Sequence, residues 1–253
     1  MSLRGSAGDV APRALNMTRA LTLAPVILAF PIGTWLVFGL DADRDTVADG
    51  IAWVYSLGLF ATFTVPFWPL PALRSWSPLR RVQSAVLVFL VVSCVTHLSW
   101  ELGWLLLHER IADAADQPWA YIWWAYIDGG DARYLLAPTE LVAVEILSVC
   151  NGLVGVTGLV RWVRSRGTDR TAILLFMATA VVHLYSASWY YLTEILAGLP
   201  NVDTTSLVDT WIKFGLANAP WVTMPWLVLW WGRRQLLDRM SMMAARAGPI
   251  TGD

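Results

Sequence analysis

The residues best suited to chemistry fall in pairs at helical spacing inside apolar stretches. His97 and Glu101 are four apart, Glu145 and Ser148 three apart, and Asn218 and Trp221 three apart, while His183 and Tyr185 share a further stretch. Residues three or four apart share one helix face, and ionisable groups within an apolar span are functional candidates by default because they are costly to keep there. Two carboxyls, an imidazole and an indole face in an apolar cavity suit acid–base chemistry on an apolar substrate. Burial disfavours the charged form of a carboxyl, so one Glu can hold a proton and deliver it. A second, ionised carboxylate and an indole π-face both stabilise a cation.

Each residue also has a structural reading. A His97–Glu101 hydrogen bond can simply join two helices, Glu145 with Asn218 can form a lock, His183 can be a satisfied core histidine, and Trp221 can be packing. Glu140 and Glu194 fall near the ends of their stretches and read as solvated. Cys94 and Cys150 read as small apolar residues, and Gly152, Gly155 and Gly158 as a surface for close helix approach. A metal held by His97, Glu101, Glu145 and His183 is conceivable from residue type, but three histidines are too few for a histidine-rich di-iron site. No zinc spacing, dinucleotide glycine fingerprint, phosphate loop or serine nucleophile motif is present, so no metal is expected.

Membrane helices must position these groups. The 253 residues are 57% hydrophobic and only 15% charged, with sixteen Trp and a mean hydropathy of +0.53. A soluble domain carries about 25% charged residues; lipid over most of the outside explains both the deficit and the Trp. A net charge of −1 excludes a polybasic nucleic-acid binder, and two cysteines exclude a disulfide scaffold. A bilayer core of about 30 Å asks for roughly 20 apolar residues per helix. Six stretches supply them: Ala20–Leu40, Ile51–Leu70, Val82–Leu107, Pro138–Val160, Thr171–Leu196 and Trp211–Trp231. The predicted class is all-α, a polytopic bundle of six transmembrane helices. The first is too long for a secretion signal and Gly39-Leu40-Asp41 offers no cleavage site, so it reads as a retained anchor. Pro25, Pro31, Pro66 and Pro225 predict kinks.

Charge orients the bundle. Arg4, Arg13 and Arg19, then Arg74, Arg80 and Arg81, then Arg161, Arg164, Arg166 and Arg170, then Arg233, Arg234, Arg239 and Arg246 gather at one set of ends. The opposite connections are acidic, and only Arg44, Arg110, Arg133 and Lys213 run against the trend. The positive-inside rule then puts both termini in the cytoplasm. At about 1.5 Å per residue, Glu101, Glu145 and Asn218 lie roughly 10 Å below the outer ends of their spans, and His97, Ser148, His183 and Trp221 roughly 15 Å. Four helices thus set polar groups in one thin layer. The long connection His108–Ala137 carries Trp119, Tyr121, Trp123, Trp124 and Tyr126 before Gly129-Gly130, which suits either a headgroup anchor or a lid. Beside the catalytic candidates His97, Glu101, Glu145, Ser148, Asn218 and Trp221, the candidates for contact with substrate are Trp100, Trp104, Trp123, Tyr126, His183, Tyr185 and Tyr190.

In order along the chain, Thr96-His97-Leu98-Ser99-Trp100-Glu101, Gly130-Asp131-Ala132-Arg133-Tyr134, Val144-Glu145 with Ser148, Tyr190-Tyr191-Leu192-Thr193-Glu194 and Asn218-Ala219-Pro220-Trp221 resemble the sterol Δ8-Δ7 isomerase family, also called emopamil-binding proteins, of the EXPERA group. The likeness runs from about Ile51 to Leu237. It implies a five-helix core at 51–237, preceded by a cytoplasmic tail at 1–19 and an extra helix at 20–40, and followed by a cytoplasmic tail at 238–253. It implies that His97 and Glu101 handle the proton added to and removed from the ring. Glu145 would stabilise the carbocation and be held by Asn218, Ser148 would keep the hydroxyl of the family's threonine, and Trp221 would face the cation. No redox cofactor is implied, because moving a double bond is a net proton shuffle. The chain departs from the family in the helix at 20–40, in Gly103-Trp104 displaced by one residue, and in a lid one residue longer. It departs also where His183 stands for an amide and Ala187 for an acid.

The expected function is a membrane-embedded, cofactor-free isomerase that moves a double bond in a sterol or terpenoid by protonation, carbocation stabilisation and deprotonation. The alternatives are a related terpenoid cyclase using the same acid and a non-catalytic sterol-binding protein. The expected partners are a lipophilic small molecule and the bilayer, with no nucleic acid; a homodimer is compatible with the sequence. The expected location is a multi-pass membrane site, the endoplasmic reticulum in a eukaryote or the plasma membrane in a bacterium.

Overall fold

The computed structural model describes residues 13–247, with side chains to residue 241. Arg4 with most of the expected tail at 1–19, and residues 248–253 of the expected C-terminal tail, lie outside the described residues. Every regular element among the described residues is helical. These are α1 (Arg13–Leu40), α2 (Arg44–Thr64), α3 (Pro78–Thr96), α4 (Leu102–Ala112), the short α5 (Tyr121–Ile127) and α6 (Arg133–Leu136), α7 (Thr139–Arg164), α8 (Arg170–Leu196) and α9 (Pro220–Ala247). A π-helical turn, His97–Glu101, joins α3 to α4 without a break, and a second π-helical segment, Val208–Leu216, precedes α9.

Five of the described spans are long and apolar enough to cross a membrane: α1, α2 with its last turn, α3 continued through α4, α7, and α8. The stretch Trp211–Trp231, expected as one span, is instead divided by a turn at residues 217–219, and Pro220 opens α9. Proline suits that first helical position, where its missing N–H has no intrahelical partner to lose. Past Trp231, α9 carries Arg233, Arg234, Asp238 and Arg239, so only its first half is apolar. Pro66 does not kink a helix: it sits in the 3₁₀ turn Val65–Phe67 that ends α2. Pro25, Pro31 and Pro225 do lie inside helices.

Small residues set the spacing. On α7, a Cβ at Gly152 would lie 2.9 Å from His97 Cβ, one at Gly155 2.6 Å from Cys94 Sγ, and one at Gly158 2.7 Å from the Phe176 ring. The glycine face therefore seats α7 between α3 and α8, as expected of small residues in membrane packing. Gly33 and Gly58 do the same for α1 against α2. Arg19 ties the other end of α1 to α3, donating to the Ser84 carbonyl at 2.7 Å and its hydroxyl at 2.9 Å.

The aromatic connection folds inward. Tyr121, Trp123 and Trp124 on α5 are buried. Trp123 Nε1 donates to Trp100 O at 3.0 Å, Trp100 Nε1 to Ile122 O at 3.1 Å, and Trp124 Nε1 to Ile111 O at 2.8 Å. This is a seated lid rather than a headgroup anchor; Trp119 alone of its indoles is exposed.

Three of the four cations that run against the charge trend are neutralised at the lid end. Arg44 pairs with Asp128 at 2.8 Å, Arg133 with Asp131 at 2.6 Å, and Lys213 with Asp209 at 2.5 Å and Asp49 at 2.9 Å. Glu194, expected in solvent, is 2% exposed: it pairs with Arg133 at 3.3 Å and accepts from Asn201 N and Nδ2. Burial works against the Arg133 guanidinium, but the acids around it prevail and raise its pKa above the ordinary value. The cluster staples the connection after α5 to the end of α8.

Candidate active site

Between the lid and the helices below it lies a cavity of about 430 Å³, within the range of about 300–1,000 Å³ usual for small-molecule sites. Its walls are mostly apolar: Val26 and Phe30 of α1, Ile51 of α2, Ile122 and Ala125 of α5. Into it converge the groups on which the sequence focuses. His97 and Glu101 come from the π turn, Glu145 and Ser148 from α7, and Asn218 and Trp221 from either side of the α9 start. Trp100, Tyr126 and Tyr190 line it as well.

The π turn carries the first pair of polar groups. Widening a helical turn to i→i+5 bonding is a device found at functional sites, and here it brings residues 97 and 101 into register. His97 Nδ1 lies 2.5 Å from Glu101 Oε2. The far side of the imidazole is equally engaged: His97 Nε2 is 2.9 Å from Ser93 Oγ and 2.8 Å from His183 Nε2. Ser93 is a hub, since its hydroxyl also accepts from Trp221 Nε1 at 3.0 Å and lies 2.9 Å from His183 Nε2.

Glu145 faces the same space with a different brace. The Tyr134 hydroxyl donates to Glu145 Oε1, while Oε2 has no N–H or hydroxyl donor among the described residues and the Glu101 carboxyl lies alongside. Burial, with the carboxylates nearby, pushes the Tyr134 hydroxyl well above its usual pKa, so it remains a donor. Asn218 does not hold Glu145. Its Nδ2 donates to Tyr126 Oη and to Phe214 O, both at 2.9 Å, because the turn at 217–219 directs it toward the lid. From there a relay runs outward: the Tyr126 hydroxyl meets that of Tyr190 at 2.6 Å, and Tyr190 donates to Asp131 Oδ2 at 2.5 Å. Burial raises the Tyr126 pKa too, so each phenol passes its one hydrogen along.

Four predicted substrate contacts lie elsewhere. Trp104 is fully buried behind the site, its Nε1 donating to Tyr134 O at 2.8 Å. Trp123 lies under Gly103, where a Cβ would come within 2.9 Å of its ring. His183 sits behind His97, with the two rings stacked at 5.0 Å. Tyr185 is 62% exposed and stacks on Trp189 at the outer surface of α8. Three residues without an assigned role in the sequence belong to the site: Tyr134, Tyr55 of α2, which lines the cavity, and Ser93. Ser93 was detectable, being one turn before His97 on the same face; Tyr134 comes from the short α6, whose placement no periodicity predicts.

No family model matches the chain. It is 25% identical over 208 residues to the 3-beta-hydroxysteroid-Delta(8),Delta(7)-isomerase of Rattus norvegicus, covering 81% of this chain and 88% of that protein. It is 25% identical over 198 residues to the mouse (Mus musculus) protein of the same name, covering 77% and 84%. To the protoglabretal synthase of Ailanthus altissima it is 27% identical over 173 residues, covering 67% and 75%. These likenesses run through most of each protein, and residue types that carry the resemblance meet in one cavity: the chain is similar to the sterol Δ8-Δ7 isomerases over most of its length.

Proposed function

We propose that the chain is a membrane-embedded isomerase that shifts a carbon–carbon double bond in a sterol or terpenoid skeleton by adding one proton and removing another. One observation carries this reading: two differently braced carboxyls, Glu101 and Glu145, face a single apolar cavity. Glu101, protonated, gives its proton to one alkene carbon, and His97 Nδ1–H holds the carboxylate left behind. Positive charge appears on the adjacent carbon, within reach of Glu145 and the Trp221 indole face. Tyr134 fixes Glu145 through Oε1, leaving Oε2 for the cation. Loss of a proton from the next carbon to Glu101 restores the acid and completes the shift. Atoms balance without an electron acceptor, so no redox cofactor is required. The lid and apolar walls keep out water, which would capture the cation as an alcohol.

The likeness to a protein named a synthase favours a second reading, in which the same acid opens the reaction and the cation closes a ring. Incubating the purified protein with a Δ8-sterol in deuterated water separates the two. A Δ7 product bearing one solvent deuteron is expected; a new ring selects the second reading. Binding of an amine-bearing cation mimic without conversion of sterol or terpenoid alkenes overturns both. Glu101→Gln is expected to abolish turnover and retain the mimic.

A further inference from the structure

His183 takes no part in the reaction as drawn, yet it is 1% exposed and its Nε2 lies 2.8 Å from His97 Nε2. The hydrogens of this cluster can be placed by counting. Around Ser93 Oγ meet Trp221 Nε1 at 3.0 Å, His97 Nε2 at 2.9 Å and His183 Nε2 at 2.9 Å. Indole nitrogen only donates, and a hydroxyl has one hydrogen to give. On its other edge, His183 Nδ1 is buried with no partner among the described residues. A proton there would be an orphaned buried N–H, which native structures avoid more strictly than an orphaned acceptor. His183 therefore carries its hydrogen on Nε2. His97 Nε2, 2.8 Å away, cannot carry one as well, since two N–H groups would then face each other. It accepts, from His183 and from the Ser93 hydroxyl. The His97 hydrogen is left on Nδ1, aimed at Glu101 Oε2 at 2.5 Å.

We infer that His183 is a positioning residue that locks His97 in its Nδ1–H tautomer and thereby leaves the acidic proton of Glu101 on Oε1, the oxygen not engaged by His97. Without His183, the opposite arrangement is satisfied too: His97 Nε2–H donates to Ser93, and the Glu101 proton turns to His97 Nδ1, away from the cavity. The groups facing this pair are His97 and Glu101 from the π turn, Ser93 and Phe89 from α3, Glu145 from α7 and Trp221 from α9. None but Ser93 and His183 itself can donate to His97 Nε2. The inference rests on the acid role proposed for Glu101, so its test includes a readout that needs no turnover.

The chain has three histidines, and a His108→Gln background leaves the two of interest. Long-range ¹H–¹⁵N spectra of the wild-type imidazoles are expected to show His97 protonated at Nδ1 and His183 at Nε2; the reverse at either ring overturns the inference, whatever the activity. In His183→Met, mixed tautomers at His97 and a kcat lowered about tenfold or more are expected, the scale on which groups that orient a functional histidine act. KM and affinity for the amine mimic stay near wild type. His183→Gln, which supplies an amide N–H, restores the single tautomer and most of kcat. Wild-type kcat in His183→Met, or equal losses in Met and Gln, sinks the assignment. Absence of turnover in the wild-type protein instead refutes the isomerase reading and leaves the spectra to decide the tautomer.

Discussion

Tyr134→Phe removes one hydrogen bond and little else. The ring keeps its edge contacts with Trp100 and Trp104, each at 5.1 Å, and with Tyr126 at 5.6 Å, and its carbonyl still accepts from Trp104 Nε1. What goes is the hydroxyl's bond to Glu145 Oε1, which leaves the Glu101 carboxyl alone beside Glu145. A hydrogen bond to a charged group contributes about 1.5–3 kcal/mol. At about 1.36 kcal/mol per factor of ten in rate, kcat should fall roughly 10- to 150-fold. KM should hold, because a neutral alkene draws nothing from Glu145 until charge develops, the signature of an interaction made in the transition state. Initial rates on a Δ8-sterol supply both numbers, and affinity for an amine-bearing mimic should drop over a similar range. A kcat within twofold of wild type, or a rise in KM alone, would refute the role given to the Tyr134–Glu145 pair.

Three further outcomes are expected. Gly103→Val places a side chain where a Cβ already lies 2.9 Å from the Trp123 ring; overpacking of this kind costs about 1–3 kcal/mol, so Tm should fall and KM rise as the lid loosens, and an unchanged Tm would mean the lid is not seated there. Phe30→Ala removes an α1 side chain that lines the cavity and meets Tyr55 edge-on at 6.2 Å; kcat/KM for substrates with bulkier side chains should rise relative to the best wild-type substrate, and an unaltered ratio would take α1 out of the substrate wall. With Cys94 and Cys150 replaced, single cysteines at Ser6 and Thr251 should react with an impermeant thiol reagent from one side of the membrane and a cysteine at Glu109 from the other; labelling of the two termini from opposite sides would remove the sixth crossing.

Much of the site was legible in the sequence because a membrane leaves a helix few choices. With every backbone group bonded within its own helix, depth follows from counting. Of the residues placed in one layer by counting, His97, Glu101, Glu145, Ser148, Asn218 and Trp221 line one cavity and His183 does not. Counting gives depth without azimuth, and the errors are azimuthal. Tyr185 and Tyr190 lie five residues apart on α8, well over a quarter-turn from a common face, so one points outward and the other into the cavity. His183 has the correct face but lies behind His97. The remaining misses arise where regular helix stops. The turn at 217–219 sends Asn218 to Tyr126 rather than Glu145, and the one-turn helix α6 delivers Tyr134, which no period marks. Glu194 read as solvated because its partner Arg133 lies 61 positions earlier.

The division of labour proposed for the two carboxyls rests on their partners rather than on their own chemistry, which is identical. Glu101 rests on the Nδ1 edge of an imidazole that is itself backed by Ser93 and a second imidazole. Glu145 rests on a phenol whose burial keeps its proton in place, so Tyr134 can donate a hydrogen bond but cannot carry a proton away. The proposed function therefore assigns proton traffic to Glu101 and charge stabilisation to Glu145. Glu101→Gln and Glu145→Gln should accordingly fail in different ways, the first losing turnover and keeping the cation mimic, the second losing the mimic most. Identical phenotypes would mean that the partners do not set the roles.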